Sequence, residues 1–62
     1  MEVQVRSEET GIQYFQSLAD ALFVAKHDPT IWKISFNADV ERIRLVRRNN
    51  VWVYEPLFAE GE

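Results

Sequence analysis

An α+β fold, one α-helix packed on an antiparallel β-sheet of four to five strands, is the class this sequence predicts. Three observations carry the prediction. One segment places apolar residues at helical spacing behind a capping serine. Two later segments, Thr30–Phe36 and Glu41–Arg48, alternate polar and apolar residues as half-buried strands do, and a third, Val51–Tyr54, follows a tight-turn signal. The connections between those three are short, so neighbouring strands must run antiparallel. The predicted order is an N-terminal strand or hairpin, a helix and a three-stranded meander.

Residues 2–6 alternate, with Val3 and Val5 on one side. Ser7-Glu8-Glu9-Thr10-Gly11 reads as a turn, because Gly11 can take a positive φ without steric cost. Ile12-Gln13-Tyr14-Phe15 is either a returning strand or an extended lead into the helix. Ser17 is the expected N-cap, and Asp20 sits in the first turn, where the helix dipole favours a carboxylate. Leu18, Ala21, Leu22 and Ala25 form the apolar stripe. The helix stops near Asp28, since Pro29 disfavours helical geometry in the residue before it. Lys26 and His27 suit its negative end.

Beyond the helix, Trp32, Ile34 and Phe36 are expected on one face, with Ile31, Lys33 and Ser35 on the other. A four-residue connection, Asn37-Ala38-Asp39-Val40, would set Ile34 opposite Ile43 and Trp32 opposite Leu45. For the next hairpin a two-residue Asn49-Asn50 turn is preferred, because Asn tolerates the positive φ of type I′ turns. It would pair Arg48 with Val51 and Leu45 with Tyr54, turning Trp52 and Tyr54 inward. A three-residue turn would reverse every side chain of that strand. Leu18, Leu22, Trp32, Ile34, Ile43 and Leu45 are expected among the most buried residues. Residues 1–56 make a single domain and residues 57–62 a C-terminal tail, from which Leu57 and Phe58 could dock.

Sixty-two residues leave little room for a core and a catalytic cavity together. The apolar fraction of 47% supports a folded chain, while the absence of cysteine excludes disulfide and thiolate–zinc frameworks. Neither a membrane-length apolar stretch nor a signal-peptide core is present, so a soluble, cytoplasmic protein without a membrane partner is expected. The net charge of −3 is unevenly spread. Lys33, Arg42, Arg44, Arg47 and Arg48 face only Asp39 and Glu41 between residues 33 and 48, a local +3, whereas both flanking segments are acidic.

Catalytic candidates are few. His27 is the single histidine, and Ser7, Ser17 and Ser35 have no base beside them in sequence. His27-Asp28 suits a helix terminus better than a metal or acid–base pair, and Asn37, Asp39 and Glu41 suit a turn better than a cation site. Gly11 and Gly61 cannot build a phosphate-cradling loop. No enzyme, cofactor or metal site is expected. The helix is too narrow to cover the sheet, so one face stays open. It is expected to carry Ile31, Lys33, Arg42, Arg44, Val46, Val53 and Glu55. The expected function is a small protein-interaction module using that face or an edge strand, its partner a foreign protein or a second copy. Lys33, Arg42, Arg44, Val46, Arg47, Arg48 and Val53 are the candidate contact residues. The alternative is a nucleic-acid-binding module built on the basic hairpin from Arg42 to Tyr54, with arginines on phosphates and Trp52 and Tyr54 stacking on bases.

Overall fold

The structure, a computed structural model, describes residues 1–39 and 41–55. The expected tail and the docking of Leu57 and Phe58 lie outside the described residues. One helix packs on a five-stranded antiparallel sheet: β1 (Val3–Ser7), β2 (Gly11–Phe15), α1 (Leu18–Lys26), β3 (Ile31–Ala38), β4 (Glu41–Arg48) and β5 (Val51–Tyr54), in spatial order β2-β1-β3-β4-β5. Among the described residues no helix is long and apolar enough to cross a membrane.

The N-terminal segment is a hairpin, the first of the two readings left open by the sequence. Val3 pairs with Phe15 and Ser7 with Gly11, whose φ of 80° is the left-handed geometry that glycine takes freely. The buried Ser7 hydroxyl closes the turn by accepting from the Glu9 and Thr10 amides, at 3.1 and 3.3 Å. It also lies 2.7 Å from the Thr30 hydroxyl, which donates to Asp28 at 2.6 Å. The Thr30 proton is thereby committed to Asp28, so Ser7 donates to Thr30. These bonds to the Thr30 hydroxyl and amide hold the Asp28 carboxyl below the usual carboxylate value. We expect Ser7→Ala to cost about 1–2 kcal/mol by removing three hydrogen bonds at once. A denaturant midpoint equal to the parent's would show the network to be idle.

Ser17 caps α1 as expected, accepting from the Asp20 amide at 3.1 Å. The helix joins β2 to β3, and in the sheet β1 lies between them. The connection must therefore pass over β1, and α1 packs there and against β2. Its fully buried residues are Ala21 and Ala25, which sit with Val3, Val5, Ile31 and Ile34 in the core. Small side chains bring the helix close to the sheet. Leu18 and Val24 pack at the margins, whereas Leu22 is 36% exposed. The expected burial of Leu22 is thus corrected: the stripe is rotated toward Val24, and Leu22 falls on its rim.

The β3–β4 register also differs. Ile34 pairs with Leu45, Phe36 with Ile43 and Ala38 with Glu41, so residues 39 and 40 alone separate the strands. Asp39 takes φ 57°, and Asn37 and Ala38 stay in the ladder. A two-residue slip preserves parity, so the face assignments of β4 survive it.

Trp32 and Ile31 exchange roles. The β1–β3 pairing shifts between Arg6 and Ser7, from Arg6↔Lys33 to Ser7↔Ile31, leaving Trp32 as the extra residue of a bulge. Ile31 and Ile34 then both point inward, at 1% and 0% exposure, while Trp32 is 37% exposed. Both expectations, Trp32 as core and Ile31 as open face, are overturned by this one residue. The Asn49-Asn50 hairpin has the expected register, with Arg48↔Val51 and Leu45↔Tyr54 and both turn residues at positive φ. Trp52 packs against the core, but Tyr54, although on the inward side, is an exposed residue. The helix does not extend over β4 and β5, which also leaves Ile43 and Leu45 only half-buried.

Candidate functional site

The face of the sheet opposite α1 follows from the registers. Residues that alternate with buried Val3, Val5, Ile34 and their partners point away from the helix. On β1 these are Gln4 and Arg6, on β2 Ile12 and Tyr14, and on β3 Lys33, Ser35 and Asn37. On β4 they are Arg42, Arg44, Val46 and Arg48, and on β5 Val51 and Val53. Glu55 continues that row, its amide donating to the Arg44 carbonyl at 2.8 Å. The Lys33 ammonium lies 5.7 Å from the Trp32 ring centroid, which sets the indole beside the same face.

Five cations, Arg6, Lys33, Arg42, Arg44 and Arg48, therefore share one surface. Among the described residues of this ladder, Glu55 is the carboxylate that accompanies them. It lies 3.4 Å from the exposed Arg48, a contact of little energetic weight. Arg6 and Lys33 stand directly opposite each other on adjacent strands, a like-charge pair that destabilises a sheet. Burial holds the Lys33 ammonium below the usual lysine value, and the neighbouring Arg6, Arg44 and Arg42 add to this while Glu55 offsets part of it.

A polar row crosses the centre of the face. The Gln4 side-chain amide reaches the Tyr14 hydroxyl at 3.5 Å, and the buried Ser35 hydroxyl donates to the Gln4 carbonyl oxygen at 3.4 Å. Arg42 donates to Ser35 at 2.9 Å and to the Asn37 side chain at 3.1 Å. Neutral oxygens thus orient its guanidinium across β3 and β4 without neutralising it. The Arg6 Nε is buried and has no hydrogen-bond partner among the described residues.

Of the expected contact residues, Lys33, Arg42, Arg44, Val46, Arg48 and Val53 come together on this face, and Arg47 does not. Its position in β4 has the parity of Ile43 and Leu45, so it points to the helix side. There it donates to the Ala25 carbonyl at 2.8 Å, and its guanidinium carbon lies 4.7 Å from the Trp52 ring centroid. Arg47 satisfies a C-terminal helix carbonyl and covers Trp52. Arg47, Trp52 and Tyr54, which the nucleic-acid alternative would use together with the other arginines of the hairpin, thus lie on the helix side of the sheet, apart from Arg42, Arg44 and Arg48. The Tyr54 hydroxyl donates to Glu41 at 2.6 Å, and that bond raises its pKa.

Sequence reasoning missed Arg6, Gln4, Tyr14 and Trp32 as members of the face. Arg6 and Gln4 were legible as outward residues of β1, but nothing local says that β1 lies beside β3. Trp32 depends on the bulge.

The remaining candidates have other partners. His27 meets Phe23 edge to face, with ring centroids 4.9 Å apart, while Asp28 binds Thr30. A groove of about 390 Å³ beside Arg47 and Trp52 is bordered by Leu22, Ala25, Lys26 and Asn50, none of which brings a carboxylate, imidazole or hydroxyl group. No group of three or more metal-ligating residues occurs among the described residues. Comparison with known proteins finds no matching family model, no similar curated protein and no similar solved structure.

Proposed function

We propose that this chain is a non-catalytic binding module whose open sheet face captures a negatively charged macromolecule. The observation that supports this reading most is the cross-strand Arg6–Lys33 pair within a five-cation face. Packing like charges side by side costs stability, and an anionic partner removes that cost. The same charge opposes a symmetric face-to-face dimer, leaving the edge strands β2 and β5 as places where a second copy would pair.

Heparin tests the charge reading, because the whole chain is acidic and a retained protein must use a local patch. The parent should bind a heparin column at low salt. Lys33→Glu should lose most of that retention. Lys26→Glu, an equal charge change on the helix, should keep it. A parent that flows through, or two variants that behave alike, would dispose of the reading.

A further inference from the structure

Resting on that binding role, we propose that the macromolecule received by the open face is single-stranded nucleic acid, with phosphates on Arg6, Lys33 and Arg44 and bases on Trp32 and Tyr14. Three features select this polyanion. The first is flat aromatic surface at the margin of the charge: Tyr14 is 58% exposed, and Trp32 is displayed by a bulge that removes it from the core. Every base has a π-face, so an outward indole or phenol beside cations suits an unpaired strand whatever its sequence. An acidic polypeptide has no comparable use for them.

The second feature is the row between the cations. Gln4 and Asn37 offer side-chain amide groups beside the guanidinium of Arg42, which the buried Ser35 hydroxyl helps to orient. Such groups can pair with the donor and acceptor edges of splayed bases, which a chain of carboxylates lacks. The third is shape. Five strands at about 4.8 Å spacing make a surface roughly 20 Å wide. A major groove about 12 Å wide admits a helix or a two-stranded ribbon, so this face cannot enter a duplex. A single strand can lie across it.

Fluorescence anisotropy decides the matter, with labelled oligo-uridine and oligo-thymidine, a duplex, and an oligo-glutamate peptide as probes. Both single strands should bind more tightly than the duplex or the peptide. Their log–log salt slope should be about −0.7 per phosphate neutralised, hence about −2 for the three contacts proposed. Trp32→Ala and Tyr14→Ala should each weaken binding roughly 5- to 150-fold while circular dichroism stays that of the parent. Trp32→Phe should keep most of the affinity but abolish the quenching of tryptophan fluorescence by oligonucleotide, because Trp52 lies against the core under Arg47.

Preferential binding of oligo-glutamate would overturn the nucleic-acid assignment and leave the charge reading standing. A preference for duplex would overturn the single-strand assignment, and affinity indifferent to both aromatic truncations would overturn stacking. If no probe binds and heparin retention is also absent, the binding role falls with the assignment.

Discussion

Ile34→Ala will cost this domain about 2–5 kcal/mol, enough to unfold a large share of the molecules at room temperature. Ile34 is fully buried on the central strand β3, between Val5 of β1 and Leu45 of β4. Truncation removes its apolar surface and leaves a cavity that three strands cannot collapse to fill. Leu22→Ala is the informative partner. Leu22 belongs to the same apolar pattern by sequence, yet it sits on the rim of the helix contact, so its loss should cost about 1 kcal/mol or less. Urea denaturation of both variants measures the difference. Equal losses would mean that α1 is rotated from the position described here.

Ala25→Leu should be the second most damaging change. Ala25 is fully buried where the last turn of α1 meets the sheet, and its carbonyl accepts the Arg47 bond. A leucine there pushes the helix outward. Overpacking of this kind costs about 1–3 kcal/mol, and each kcal/mol lowers Tm by roughly 4–8 °C in a domain of this size. The displaced helix end also separates Ala25 from Arg47, so the Trp52 emission should shift as its cover is lost. Ala19→Leu, on the exposed side of the same helix, should leave Tm within a degree or two of the parent's. A scan in which the two variants coincide would show the helix–sheet spacing to be looser than the buried alanines imply.

The open face unites two features that the sequence presents as alternatives. A basic hairpin suggested nucleic acid, and an uncovered sheet suggested an interaction surface. In the fold Arg42, Arg44 and Arg48 of that hairpin lie on the uncovered face, where β1 adds Arg6 and Gln4, while Arg47 and Trp52 lie on the helix side. Trp52 and Tyr54 keep their predicted inward parity. Trp32, which the alternation assigns to the core, becomes the candidate for stacking.

What the chain encodes within a few residues was legible without a structure. Ser17 and Asp20 start the helix through a bond spanning three residues, and Pro29 bounds it. Asn49 and Asn50 specify a two-residue turn through their tolerance of positive φ, and that turn alone sets the β4–β5 register. Alternation assigned β1 and β4 their inward faces, since a period of two depends only on neighbouring peptides.

Tertiary structure decided everything that depends on partners distant in sequence. The place of β1 between β2 and β3 sends the helix over Val3 and Val5 and leaves β4 and β5 half-covered. Ala21 and Ala25 became the contact because the sheet dictated how close the helix could come. The bulge against Arg6 and Ser7 brought Ile31 inside and put Trp32 out, and no alternation within β3 reveals it. Bulge position, helix rotation and strand order are each set by packing energies summed over several elements, so no single segment contains them.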